Sequence, residues 1–390
     1  MPYFDHNATT FLAPEVAETL SVTLHECYGN ASSIHREGQR ARQELEGARA
    51  SIARSLAASP GEIVFTSGGT ESNNLAILGL VRSVPGERKH VVTTEIEHPA
   101  VLEPCRQLER EGMMVDYVRP GVDGVVNAAE MAGRIRPETV LVSVMHSNNE
   151  TGAIQPVSDI AAGIRERRSA GGQPIYLHCD GVQAFGKIPF AITDLGPDLY
   201  SVSAHKIFGP KGVGTLYVRK GVPLGAVQFG GRHERERRAG TENVPGAVAF
   251  ARAAELCREG DCMRVAELRD WFEREIERRV EDVEVNGWGA PRLPNTSNLL
   301  FRNVSGENLV IALDIAGFAV SSGSACSSGS VEPSHVLLAM GRSREEAGSS
   351  VRFSFGRYNT REEADALIHA VVRSVERLRK AARREVSFAV

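Results

Sequence analysis

The chain has 390 residues, 42% of them hydrophobic and 24% charged, which is ordinary globular composition and too long for one small core, so two domains or one large domain with an appendage are expected. Lys and Arg number 45 against 49 Asp and Glu, a net charge of -4; that gives no field to gather nucleic acid or an anionic membrane surface, and a small molecule or a protein partner is the expected ligand. The opening residues Met1 to His6 are neither basic nor apolar and no apolar run nears the roughly 18 residues of a membrane helix, so a cytoplasmic protein is expected, its six scattered cysteines kept as thiols.

In chain order, a helical pattern over 39–58 sets Leu45, Ala48, Ile52 and Leu56 on one face. From about Pro60 to Val218, short runs rich in Val, Ile and Leu (62–66, 90–94, 140–144, 174–178 and 214–218) alternate with helical stretches such as 158–168. That alternation predicts an α/β fold with a mostly parallel sheet covered by helices. After about residue 250 the texture changes. A long charged helix carries Val265, Leu268, Phe272, Ile276 and Val280 in one stripe, strand-like runs follow near 296–303 and 350–355, and a last helix over 360–384 turns Leu367, Ile368, Val371, Val375 and Leu378 inward and its arginines to solvent. A smaller α+β domain fits this part.

Four segments carry chemistry. The first strand run leads into Ser67-Gly68-Gly69-Thr70-Glu71-Ser72-Asn73-Asn74 and then an apolar helix, so glycines, a hydroxyl and backbone N–H groups meet at a helix N-terminus, where a phosphate sits well. The glycine spacing is neither the dinucleotide fingerprint nor a Walker loop, and a plain turn with a capping threonine fits this segment alone equally. His178-Cys179-Asp180-Gly181-Val182-Gln183 sets Asp180 at the carboxyl end of a parallel strand, where open sheets bind ligands and an acid holds a cationic ring nitrogen. A metal is not expected there, because adjacent strand residues point to opposite faces and no second cluster completes a ligand set. Cys257 and Cys262 read as ordinary surface thiols.

Ser201 to Gly212 places Lys206 among small and polar residues between two strands, a setting for a Schiff-base lysine, though also for a simple loop lysine. Ser321 to Ser330 is the low-complexity piece, with Cys326 at its middle. A mobile nucleophile explains that thiol, and a free cysteine in a linker is the alternative.

Taken together with Tyr3-Phe4-Asp5-His6-Asn7-Ala8-Thr9-Thr10, Gly29 to His35, Glu97-His98, His146 to Gly152, Arg238-Ala239-Gly240-Thr241-Glu242-Asn243 and Ser350 to Ser354, these segments resemble the cysteine desulfurases of the class V aminotransferase group, of the nitrogen-fixation and general iron–sulfur type, over nearly the whole chain. The resemblance implies a fold type I enzyme dependent on pyridoxal 5'-phosphate. Its large domain, 15–250, would hold a seven-stranded, mostly parallel sheet, and residues 1–14 with 251–390 would form the small domain carrying the cysteine loop, 321–332. By position, Lys206 would hold the cofactor, Asp180 its ring nitrogen and Gln183 its phenolic oxygen, with His98 stacked on the ring as an acid/base. Gly69, Thr70, Ser203 and His205 would form the phosphate cup, completed by Thr241 from the second subunit of a homodimer. Asn149 and Arg352 would grip L-cysteine, Arg352 through the carboxylate.

The resemblance further implies that Cys326, as thiolate, takes the sulfur as a persulfide, leaves L-alanine and hands the sulfur to an iron–sulfur scaffold protein, touching a cluster only transiently. No resident metal, nucleic acid or membrane partner is implied. The rivals are selenocysteine lyase or another reaction on the same fold, and a catalytically silent scaffold that would be expected to lose Lys206, Asp180 or Cys326. Cys179 departs from the small or β-branched residue usual there, and its position on a strand next to Asp180 predicts that it faces the core.

Overall fold

The computed structural model describes residues 1–86, 89–169, 174–322 and 332–388. Seven strands, Ile63–Thr66 (β1), His90–Thr94 (β2), Met114–Val118 (β3), Thr139–Met145 (β4), Tyr176–Asp180 (β5), Leu199–Ser203 (β6) and Gly214–Val218 (β7), form one sheet in the order β1-β7-β6-β5-β4-β2-β3. The pairs from β6 through β3 are parallel, and β7 is antiparallel to both neighbours. Six strands therefore point one way and deliver their carboxyl ends to a single edge.

Both faces of this sheet are buried, which is why its strands read as continuous apolar runs. Phe65, Val142, Val144, Cys179 and Val202 pack with helices Pro14–Glu26, Arg36–Ser55, Val157–Ser169 and Val244–Glu255. Val64, Val91, Leu141, Leu199 and Leu216 pack on the other side with the helical stretch from Gly69 to Ser83 and with Pro99–Arg110. The expected helix over 39–58 begins three residues earlier, where His35 accepts from the Gly38 N–H as N-cap. Two strands of this sheet lay hidden in the sequence: β3 is a half-exposed edge strand, and the serines of Leu199-Tyr200-Ser201-Val202-Ser203 disguise the fully buried β6.

A second sheet joins Val283–Val285 (β8), Thr296–Phe301 (β9) and Ser350–Ser354 (β10) in the order β10-β9-β8, all antiparallel. Its core draws Phe272 and Ile276 from helix Glu259–Arg279 and Leu367, Ile368 and Val371 from helix Arg361–Phe388, the inward stripes expected for both. Phe4 is buried in this second core, and Asp5 bridges to Ser354. The N-terminal segment thus runs along β10 before it reaches the large sheet.

Glu234, Arg235 and Glu236 all have positive φ (44°, 57° and 64°), a conformation that costs each non-glycine residue about 1–2 kcal/mol. An ion pair holds the run in place. The Glu234 carboxylate accepts from Arg49 Nη1 and Nη2 at 2.7 and 2.8 Å and from the Phe65 N–H at 2.9 Å, and both side chains are buried. Glu234→Ala leaves the buried Arg49 guanidinium with only the exposed Glu46 carboxylate as counter-charge, and an unfolding free energy about 3 kcal/mol lower is expected in urea titration. Arg49→Met with Glu234→Leu, which removes both charges, is expected to lose less than the single variant.

Candidate functional site

A cavity of about 250 Å³ opens at the shared edge of the large sheet. Gly69, Thr70, His98, Asn149, Asp180, Gln183, Ser203, His205, Lys206 and Arg352 all line it, so the residues singled out from scattered segments are brought together. Thr241 is exposed and follows the strained 234–236 run; it is not among the residues of this cavity. Cys326 lies outside the described residues.

The first wall is the turn after β1. Gly68, at φ 150° and ψ -174°, occupies a region essentially closed to other residues. It caps the following helix without a side chain, so the first helical amides face outward and favour an anion. Close by, Ser203 at the end of β6 is 1% exposed and its Oγ has no hydrogen-bond partner. An orphaned hydroxyl beside uncapped helix amides fits a phosphate group.

Asp180 ends β5. Its Oδ2 accepts from Asn73 Nδ2 at 2.7 Å and its Oδ1 from the Val182 N–H at 3.0 Å, which fixes the carboxylate in a 7% exposed position. Two residues earlier, the His178 ring nitrogens are matched to Ser143 and Ser201 hydroxyls. Cys179 points the opposite way into the first core, where burial pushes its thiol pKa up, so it faces the core as expected.

The lysine follows β6. Lys206 Nζ donates to the carbonyl oxygens of Asn7 and Ala8 at 2.6 and 2.7 Å. Gln183 Nε2 donates to the same Asn7 oxygen at 2.9 Å. His205 shares a hydrogen bond with Thr9 Oγ1, and burial, with Lys206, Lys211 and Lys187 near it, lowers its pKa to about 4. His98 caps helix Pro99–Arg110, its Nδ1 accepting from the Ala100 N–H. Burial lowers its pKa against the opposing pull of Asp180, so the ring stands neutral with Nδ1 as acceptor. Behind it, burial raises the Glu97 carboxyl to about 8.

Arg352 comes from β10 of the small sheet. It donates to Asn149 O at 3.0 Å and to Asp5 Oδ1 at 2.8 Å, while its buried Nε has no partner. Both ends of the undescribed 323–331 segment arrive beside this wall. Ser321 exchanges backbone hydrogen bonds with Arg352, Ser334 Oγ donates to Glu150 Oε2, and His335 Nε2 meets the Glu97 carbonyl.

Asn7 and Asn73 line the cavity, and Lys187 backs it through Asn7 and Gln183, with no role legible from the sequence. Asn7 and Asn73 stand inside the Tyr3–Thr10 and Ser67–Asn74 segments, but only the fold reveals their partners; Lys187 sits four positions after Gln183, a spacing that hints at contact. The expectation of surface thiols at 257 and 262 is corrected. Cys257 packs against the first core and Cys262 Sγ lies 3.9 Å from the Gly186 carbonyl, both half-buried, because helix Glu259–Arg279 covers a second, smaller cavity behind Lys206.

His146, His178 and His205 have pKa values lowered by burial to about 4, 3 and 4 from 6.5. Unfolded chains take up protons on these rings below about pH 6.5 and the folded protein does not, so their contribution to stability is whole above that pH and falls away toward pH 4. The urea midpoint is expected to drop across this window; a flat profile would contradict the buried neutral rings.

The Aminotransferase class-V family matches residues 2–367. The chain is 44% identical to a protein called cysteine desulfurase IscS from Dictyoglomus turgidum, over 97% of this chain and 95% of the relative, and 45% identical to one of the same name from Anaeromyxobacter dehalogenans, over 97% and 93%. Among solved structures, a NifS-like protein superposes with a TM-score of 0.88 at 38% identity, over 95% of this chain and 98% of the other. A structure described as SspA in complex with cysteine superposes with a TM-score of 0.81 at 34% identity, over 92% and 100%.

Proposed function

The chain belongs to the aminotransferase class-V family, among its cysteine desulfurases, and on that premise we propose that it takes the sulfur of L-cysteine onto Cys326 and releases L-alanine, with pyridoxal 5'-phosphate bound at Lys206. The observation that carries this reading is the convergence of Lys206, Asp180, Gln183, Ser203 and Arg352 on one cavity, with both ends of the Cys326 segment arriving at its rim.

The cofactor, when bound, supplies the electron sink that weakens bonds at Cα of an attached amine. Asp180, fixed by Asn73 and the Val182 N–H, would accept a hydrogen bond from the protonated ring nitrogen and so keep that nitrogen charged. Gly69, Thr70, Ser203 and His205 hold the phosphate, His205 as a neutral ring. Arg352 receives the substrate carboxylate, its guanidinium steadied by Asp5 and the Asn149 carbonyl. Lys206 Nζ takes the Cα proton, and the Asn7 and Ala8 carbonyls, already within hydrogen-bond reach, favour the ammonium that results. His98, neutral at physiological pH, exchanges a proton near the substrate sulfur. The Cys326 thiolate attacks that sulfur; the new S–S bond forms as the C–S bond breaks, the electron pair of that bond stays with Cβ, and Cβ takes up a proton, so that a persulfide remains on the protein and L-alanine leaves.

The same reading includes a homodimer, since the exposed Thr241 needs a second subunit's phosphate to contact, and a two-domain division at 15–250 against 1–14 with 251–390, supported by Phe4 in the second core. It includes sulfur delivery to an iron–sulfur scaffold protein and residence in the cytoplasm; no helix among the described residues is long and apolar enough to cross a membrane.

Alanine and sulfide released from L-cysteine under reductant test the assignment. The wild type is expected to make both, and Cys326→Ala to keep its yellow cofactor band and make no sulfide; equal desulfuration by the variant would remove Cys326 from the mechanism. Arg352→Met is expected to raise KM for cysteine by about a hundredfold, the worth of one charge-assisted bidentate contact, with little change in the cofactor band.

A further inference from the structure

Lys187 sits in the turn after β5. Its Nζ donates to Gln183 Oε1 at 2.7 Å and to Asn7 Oδ1 at 3.1 Å. A glutamine amide has one donating end and one accepting end, and which end faces a ligand is decided by the rest of its hydrogen bonds. Two neighbours decide it here. Lys187 has hydrogens to give, so it meets the oxygen. The Asn7 carbonyl only accepts, so it meets Nε2. Asn7 cannot yield, because its own Nδ2 is spent on Asn149 O and Thr296 Oγ1 and its Oδ1 also takes the Asn295 amide.

We propose that Lys187 is a positioning residue that locks the Gln183 amide with its N–H end toward the cavity, where it donates to the phenolic oxygen of the cofactor. The inference rests on the reading that the cofactor is held by Lys206. Turning the amide over would set Oε1 against both the Asn7 carbonyl and an anionic phenolic oxygen, and Nε2 against the lysine's hydrogens. Gln183 alone, reading only Asn7, would have one constraint where it now has two.

The surroundings suit a lysine whose task is to donate. Burial, then the charges of Lys206 and Arg352, lower its pKa, and in either protonation state it carries hydrogens for both oxygens. On the cavity side the charged or titratable groups around this pair are Lys206, His205, His98, Asp180 and Arg352. Behind it, the second cavity adds His6, Cys257 and Cys262 with Arg258, Asp261 and Arg357. Among the described residues, no hydrogen bond of Gln183 or Lys187 goes to these groups, so the orientation of the amide is set within the triad of Asn7, Gln183 and Lys187.

A donor on the phenolic oxygen favours the deprotonated state of the lysine-bound cofactor, in which that oxygen carries the most negative charge. Its loss raises the pH at which the yellow, protonated form disappears. In absorbance titrations of the holoenzyme, Lys187→Met is expected to raise this midpoint by about one pH unit, the worth of one hydrogen bond. In a Gln183→Leu background the same substitution is expected to move it by less than half as much, because the amide it orients is gone. A Lys187→Met midpoint equal to the wild type, or an equal shift in both backgrounds, overturns the inference alone, the second outcome marking Lys187 as a plain charge. A wild type without the yellow band overturns the cofactor reading and this inference with it. Should Lys187→Met fail to fold, Lys187→Leu, which likewise has no donor, carries the same two arms.

Discussion

The buried side chain and carbonyl of Asn7 tie together what the rest of the site needs. The residue is 1% exposed, yet each of its polar groups is matched. Its N–H donates to Ser354 Oγ, its carbonyl receives Lys206 and Gln183, its Oδ1 receives Asn295 and Lys187, and its Nδ2 reaches Asn149 O and Thr296 Oγ1. Leaving any one buried group unmatched would cost about 1–3 kcal/mol, so the set holds as a unit. Ser354, Asn295 and Thr296 belong to or adjoin the small sheet, while Lys206, Gln183 and Asn149 follow strands of the large one. One amide thereby fixes the distance between the sheet that carries the lysine and the sheet that carries Arg352.

The large sheet explains why the remaining groups can converge. Because only β7 runs against its neighbours, β1, β4, β5 and β6 end at the same edge, and Thr66, Met145, Asp180 and Ser203 arrive together. That is the crevice in which open α/β sheets bind ligands. Burial then sorts the charges. The neutral rings of His98, His146 and His205 and the uncharged Glu97 carboxyl leave Lys206, Asp180, Arg352 and Asp5 to shape the local field.

Legibility in the sequence followed how local each signal was. The apolar runs that became β1, β2, β4, β5 and β7 could be read directly because both faces of those strands are covered. β6 escaped because two serines interrupt it, and β3 because an edge strand alternates weakly. Asp180, Lys206 and the glycine turn were legible through their place beside strand ends. Asn7 was not, since its partners lie 142 to 347 residues away, and the carbonyls of Asn7 and Ala8 that hold Lys206 have no side-chain signature at all. Cys257 and Cys262 were misjudged because a polar helix gives no sign of a cavity beneath it.

The two sheets divide the labour of the cavity unevenly. Every residue proposed to hold the cofactor from within this chain stands on the large sheet or its turns, whereas the guanidinium proposed to grip the substrate is carried by β10, five residues of the small one. Apart from Asn149, which joins the grip from the turn after β4, the amino acid accepted and the bond-breaking machinery are therefore separable modules for an engineer: β10 and its neighbours could be recast for another side chain or carboxylate placement while the apparatus on β5 and β6 is inherited untouched.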